Sequence, residues 1–288
     1  MAKREIDSFS GTETTGHEWD GIRELNTPLP RWWLWTFFAC ILWAIGYWIA
    51  MPAWPLVHDY TRGVLGHSQR ATLAADLAAA KAAQAGLRAR IAAASLEQIR
   101  TDPELLEFAL AGGRSAFSVN CSQCHGTGAQ GFVGYPNLND DDWLWGGTLA
   151  DIATTIRYGV RSGHEEARFN EMPAFVRDEI LTRGEARAVA EYVLTLSGQP
   201  AEPDLAAKGK PLFEENCVAC HQEGGVGDHE LGAPNLTDAI WLYGGDRDTI
   251  LTTISFSRGG VMPAWQGRLD PVTIKQLAVF VHSLGGGE

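Results

Sequence analysis

Cys121-Ser122-Gln123-Cys124-His125 and Cys217-Val218-Ala219-Cys220-His221 are the two stretches on which the reading of this chain turns. Two thiols one helical turn apart can reach the two vinyl groups of one porphyrin, and the adjacent imidazole is then directed at the iron. This is the c-type haem attachment pattern. A zinc site built from two Cys-x-x-Cys pairs usually separates them by 15 to 20 residues, whereas about 90 residues separate these. A thioredoxin-like pair would need a βαβ context, which the helical patterning does not supply.

Working outward, the text around the first motif recurs around the second, so residues 104–200 and 201–288 are a tandem duplication. Gly113 and Phe117 precede Cys121 at the spacing with which Gly209 and Phe213 precede Cys217. Pro136-Asn137-Leu138 recurs as Pro234-Asn235-Leu236, Trp143 as Trp241, and Gly146-Gly147 as Gly244-Gly245. Met172-Pro173-Ala174-Phe175 recurs as Met262-Pro263-Ala264-Trp265. Each copy closes with a helix-patterned stretch containing an aromatic, Tyr192 or Phe280, and the first copy is about eight residues longer between Arg161 and Asn170.

A haem iron with one histidine needs either a second ligand or an open face. Met172 and Met262 occupy equivalent repeat positions, and thioether ligation raises the potential and closes the iron. The expected cofactors are therefore two covalently bound haem c groups. Cys121, Cys124, Cys217 and Cys220 would attach them, with His125, Met172, His221 and Met262 as axial ligands. The default pairing keeps each methionine in its own repeat. His164, His229 and His282 are rival ligands without counterparts in the other copy, which favours surface or loop roles. The Pro136 and Pro234 carbonyls are candidate acceptors for the second ring nitrogen of each histidine. Trp143 and Trp241 are candidates for a propionate hydrogen bond or for packing. Gly113 and Gly209 would let the first helix of a domain cross close to the last, against Tyr192 or Phe280. No residue is expected to act as a catalyst.

Upstream, Trp32 to Val57 is a run of 26 residues without a charge. As a helix it would extend roughly 39 Å against a hydrocarbon core of about 30 Å. Trp32, Trp33 and Trp35 crowd one end while Tyr47, Trp48 and Trp54 crowd the other, as expected at two membrane interfaces. About 30 mostly polar residues come first, so the run reads as an uncleaved single-pass anchor, with Pro52 and Pro55 ending the helix. Cys40 within it is a small packing residue. Residues 66–100 are rich in Ala, Leu, Gln and Arg and read as a long linker helix, either a spacer or a docking element; Thr101 to Glu104 then opens a fresh helix. The basic residues flanking the span balance, so charge does not orient it.

The formal charge is −12, with all of the excess acidity after residue 103, which argues against a nucleic-acid partner. The fold class is mainly α: one N-terminal transmembrane helix, an Ala-rich linker helix and two tandem class I cytochrome c domains. The expected boundaries are 1–31 for an N-terminal tail, 32–57 for the span, 58–103 for the linker, 104–200 for domain 1 and 201–288 for domain 2.

Gly16-His17-Glu18-Trp19-Asp20-Gly21-Ile22, then Asn26-Thr27-Pro28-Leu29-Pro30-Arg31-Trp32-Trp33, an aromatic span and two haem motifs each with Pro-Asn-Leu before a tryptophan resemble the CcoP/FixP family. These are the dihaem c-type subunits of cbb3-type cytochrome c oxidases. The resemblance implies that electrons come from a donor cytochrome c and pass to the monohaem c-type subunit, while the catalytic haem-copper subunit reduces oxygen to water and pumps protons. It implies a bacterial inner-membrane protein with a cytoplasmic N-terminus and periplasmic haem domains. Acidic domains would attract a basic donor, less so at high salt. The resemblance also allows the two methionines to be exchanged, Met172 serving the second haem and Met262 the first. A dihaem peroxidase, a free-standing carrier and a dehydrogenase cytochrome subunit are the competing classes.

Overall fold

The computed structural model describes residues 5–287 and is mainly helical, with two compact units, Met1–Ala83 and Gln84–Glu288.

In the first unit, β1 (Thr14–Trp19) and β2 (Ile22–Leu25) form an antiparallel hairpin. Asp20 and Gly21 both take positive φ, 49° and 84°, the pair of conformations that a tight two-residue hairpin turn demands. The tail therefore carries structure that a reading of it as merely polar misses; the Asp-Gly dipeptide was the available signal. Helix α1 (Arg31–Ala50) has 20 residues, none buried, and about 30 Å of length matches a hydrocarbon core. It is shorter than the charge-free run predicts. Met51 precedes Pro52, whose ring disfavours helical backbone at the residue before it, and Met51 is extended. The chain then folds back, and the N–H groups of Val64 and Leu65 donate to the Ile49 and Ala50 carbonyls that the helix end leaves open. Gly63, at φ 70°, lies so close to this end that a Cβ would sit 2.4 Å from the Ala50 oxygen.

The predicted linker helix is two helices, α2 (Gln69–Ala93) and α3 (Leu96–Thr101). Ser95 breaks them apart because its side chain caps α3, in a reciprocal capping box with Gln98. Asp102 in turn caps α4 (Pro103–Asn120) by accepting from the N–H groups of Glu104 and Leu105. The end of this segment is more than a spacer: Ile91 and Ile99 are fully buried with Leu105, Ala109, Leu149, Val272 and Val279. Lys275 Nζ donates to the carbonyls of Ile91, Ala92 and Ala94, fixing the C-terminus of α2.

The two repeats supply α4, α5 (Ser122–His125), α6 (Leu149–Tyr158) and α7 (Arg183–Leu196), then α8 (Pro203–Asn216), α9 (Val218–His221), α10 (Arg247–Phe256) and α11 (Pro271–His282). Packing crosses the repeat boundary. Helix α7 lies on α8 and α10, and α11 lies on α4 and α6. Two glycines make the crossings possible. A Cβ on Gly113 would stand 2.3 Å from the Gln276 carbonyl oxygen, and one on Gly209 would stand 1.9 Å from that of Ala188. The aromatic partners follow, Phe117 with Phe280 at 5.5 Å and Tyr192 with Phe213 at 5.3 Å between ring centroids. Backbone bonds repeat the exchange: Phe175 N–H donates to the Ile254 carbonyl and Trp265 N–H to the Ile156 carbonyl. Each first helix thus meets the other repeat's last helix, Gly113 against Phe280 and Gly209 against the helix of Tyr192, and not the last helix of its own domain as the sequence suggests.

Candidate functional site

Each Cys-x-x-Cys-His motif sits where a long helix ends and a single further turn begins. Cys121 follows α4 and Cys217 follows α8, each with its own N–H bonded to a phenylalanine carbonyl, Phe117 or Phe213. The short turn that follows carries the second thiol and the histidine. His125 Nδ1 lies 3.1 Å from the Pro136 carbonyl oxygen and His221 Nδ1 lies 3.0 Å from that of Pro234. A carbonyl only accepts, so Nδ1 carries the proton in both rings and Nε2 is left with its lone pair, the form that ligates a metal. Burial holds both imidazoles below the usual histidine range. It also pushes the Cys121 and Cys217 thiols up to about 11, so neither is a ready thiolate. The two cysteine pairs belong to different cores and do not converge on one metal.

Each methionine packs on the core that carries the other repeat's first motif cysteine. Met172 packs on a core in which Phe175, Val189 and Val193 of its own repeat meet Phe213, Cys217, Leu236, Ile250 and Ile254 of the second. Met262 and Cys121 both pack on the core in which Phe117, Ile152 and Ile156 of the first repeat meet Ile274, Leu277 and Val281 of the second. The default pairing within a repeat is therefore not the one that packing brings together. The reason is the helix crossing: each Met-Pro-Ala segment precedes a helix that completes the other half's core. Val160 and Met262 bond reciprocally through their backbones, N–H to carbonyl at 3.0 Å each way, which pins Met262 to the end of α6.

Around the second site a cavity of about 500 Å³ has Cys217, Cys220 and His221 together with Met172 on its wall. The rest of the lining is largely apolar, including Phe175, Val189, Val193 and Ile250. A histidine nitrogen, a thioether and two thiols facing one apolar cavity are the donor set that a covalently attached haem requires, so the residues fit the group. His221 is 9% exposed, whereas His125 is only half-buried.

Other predicted residues fall into place unevenly. Trp143 spends its indole N–H on the Gly286 carbonyl, and Trp241 packs on the second core. His164 lies against the Tyr158 ring and accepts from the Glu166 N–H, as a loop-ordering residue would. His229 lies near Asp142, whose carboxyl is pushed up to about 6 by burial and by repulsion from Asp238 and Asp140. The loop 131–137 has a second use that the repeat pattern does not announce: besides presenting the Pro136 carbonyl it lines the second cavity, and Gly134 N–H donates to the Leu242 carbonyl at 2.7 Å. Glu191, fully buried on α7, receives Arg247 from α10 and the Glu202 N–H. The arginine and the amide hold its carboxylate below the usual range.

The chain matches the model described as the N-terminal domain of cytochrome oxidase-cbb3, FixP, over residues 11–58. It matches that of cytochrome c oxidase, cbb3-type, subunit III, over residues 108–193 and again over 204–281. It is 56% identical over 285 residues to the cbb3-type cytochrome c oxidase subunit FixP of Bradyrhizobium diazoefficiens, covering 99% of this chain and 98% of that one. It is 53% identical to subunit CcoP of Azospirillum sp., with both chains covered completely. To subunit CcoP of Cereibacter sphaeroides it is 52% identical, over 96% of this chain and 95% of the relative. Two haem-attachment motifs in a duplicated helical fold, one apolar N-terminal helix and this likeness over the whole length place the chain in the FixP/CcoP family of cbb3-type cytochrome c oxidase subunits.

Proposed function

We propose that the chain is a membrane-anchored dihaem cytochrome c that takes electrons from a donor cytochrome c. It delivers them to the monohaem c-type subunit of a cbb3-type oxidase, whose haem-copper subunit reduces oxygen and pumps protons. The observation that supports this reading most is one largely apolar cavity lined by Cys217, Cys220, His221 and Met172, while in the first repeat Pro136 orients His125 in the same way and Met262 and Cys121 pack on one core. When bound, haem c supplies reversible one-electron exchange between ferrous and ferric iron. The chain's part is to hold that exchange in place. Cys121 and Cys124, and Cys217 and Cys220, anchor the two groups covalently. Pro136 and Pro234 orient His125 and His221 so that Nε2 points away from the carbonyl. Met172 would ligate in the second site and Met262 in the first. A histidine nitrogen and a thioether so supplied would leave the iron to exchange electrons and not to bind a substrate, so the chain would be an electron carrier and not an enzyme by itself.

Covalent haem attachment takes place outside the bacterial cytoplasmic membrane. The haem-bearing part is therefore periplasmic and residues 1–31 are cytoplasmic, with α1 as the inner-membrane anchor. The sequence domains 104–200 and 201–288 act as an exchanged pair, each finishing the other's site. The acidic surface favours a basic donor.

Purification in mild detergent tests the reading. Two thioether-linked haems per chain are expected, in one peak with b-type haem and copper, and without carbon monoxide uptake by the reduced c-type haems. Fewer than two, or ready uptake at them, contradicts it.

A further inference from the structure

We propose that Arg161 and Arg258 form a paired cationic seat for the propionates of the haem in the second cavity; this rests on the reading that haem occupies that cavity. Apart from the axial histidine, these two are the basic side chains that line it. Several arginines elsewhere in this unit take carboxylate partners, as Arg88 does with Asp270, Arg168 with Asp151, Arg187 with Glu202 and Arg247 with Glu191. Arg161 and Arg258 have none within ion-pair distance among the described residues.

Both are nonetheless held in place, and by neutral groups. Arg161 Nε donates to the Gly260 carbonyl at 2.7 Å and its guanidinium donates again to that of Asn170 at 2.9 Å. Asn170 is itself tied to the Leu231 carbonyl at 2.8 Å. The Arg258 guanidinium sits 5.3 Å over the Tyr243 ring. Carbonyls and a ring face orient a cation without cancelling its charge. Two oriented arginines, each partly exposed and without a carboxylate partner among the described residues, present positive charge on a largely apolar wall, where an anion would complete them. The carboxylates on the same wall are Asp140, Asp142 and Glu171, and none pairs with either arginine. Each arginine also stands just beyond the helix that precedes a Met-Pro-Ala segment, Arg161 after α6 and Arg258 after α10. The two repeats thus each bring one cation to the same wall. Haem brings two carboxylates into the cavity, which matches two guanidinium groups in number and sign.

The consequence is electrostatic. A cation beside the haem disfavours the ferric state, which carries one more positive charge than the ferrous, so the pair raises the potential of the second haem. Spectroelectrochemical titration of the detergent-solubilised oxidase complex carrying Arg258→Gln or Arg161→Gln tests this. A lower midpoint for the haem whose sulfur-to-iron band depends on Met172 is expected, with a larger fall in the double variant and substantial recovery in Arg258→Lys. Arg187→Gln, at the exposed pair with Glu202, should change neither midpoint. Unchanged midpoints in both cavity variants overturn the seat. Loss of haem from Arg258→Gln but not from Arg258→Lys supports it, and loss from both overturns it. A wild-type chain with fewer than two haems would instead overturn the underlying reading.

Discussion

The two halves that carry the Cys-x-x-Cys-His motifs share a plan and differ in how deeply the motif histidine is buried. In both, a glycine on the first helix meets a carbonyl of the exchanged last helix, an aromatic pair follows at about the same separation, and a histidine is oriented by a proline carbonyl. The second site adds the longer Arg161–Asn170 loop of the first repeat on its wall and a more deeply buried histidine. Its helices are also joined differently. A buried carboxylate, Glu191, receives Arg247 there, whereas on the other side Lys275 donates to three carbonyls at the end of α2. Duplication preserved the contacts that position an iron ligand and let the ones that merely fasten helices diverge.

The helix crossings offer the most severe way to break the comparison. Gly209→Val should cost about 3 kcal/mol or more, because the Ala188 backbone cannot yield to a side chain placed in contact with it. Gly113→Val, against Gln276 and Phe280, should cost a similar amount. Thermal unfolding read by circular dichroism checks both, and a fall in either variant of less than about 1 kcal/mol would contradict the close crossing.

Next comes the fastening that the halves do not share. Glu191→Gln removes the charge that Arg247 and the Glu202 amide complete, and should cost about 2 kcal/mol, moderated because Arg247 reaches solvent. Denaturant unfolding at neutral pH measures it, and a loss confined to acid pH would contradict the pair.

The smallest effect concerns Asp142, whose carboxyl rises from its ordinary 3.8 to about 6 because burial and neighbouring Asp238 and Asp140 favour the neutral form. The folded chain then binds this proton more tightly than the unfolded one, so stability falls as pH rises from 3.8 to about 6. The ceiling is about 3 kcal/mol, and solvent screening of a partly exposed group reduces it to about 1 kcal/mol. Asp142→Asn should therefore stabilise the chain by about 1 kcal/mol above pH 6 and by nothing below pH 4. A gain independent of pH would point to shape instead of charge.

Much of this was legible in the sequence because haem attachment leaves a dense local mark. Four cysteines, two histidines, four prolines and two methionines recur at matching positions, and the apolar run of α1 and the Asp102 cap are equally local. What sequence reading places wrongly or misses is non-local. Whether Gly113 faces Tyr192 or Phe280 depends on a crossing between helices more than 150 residues apart, and in a duplicated text both answers pack similar side chains. The break at Ser95 was hidden by strong helix formers on both sides of a short capping residue. The lone carboxylate of Glu191 and the two lone guanidinium groups of Arg161 and Arg258 carry no local sign of burial or of partner.

The exchange of methionines between repeats is the centre of the account, and one measurement reaches it directly. In a chain carrying Cys121→Ser and Cys124→Ser, the covalent haem that remains belongs to Cys217 and Cys220, and its sulfur-to-iron absorption band reports its axial ligand. The account predicts that Met172→Ala abolishes this band while Met262→Ala leaves it in place. A band that survives Met172→Ala and disappears with Met262→Ala would mean that each repeat ligates its own haem.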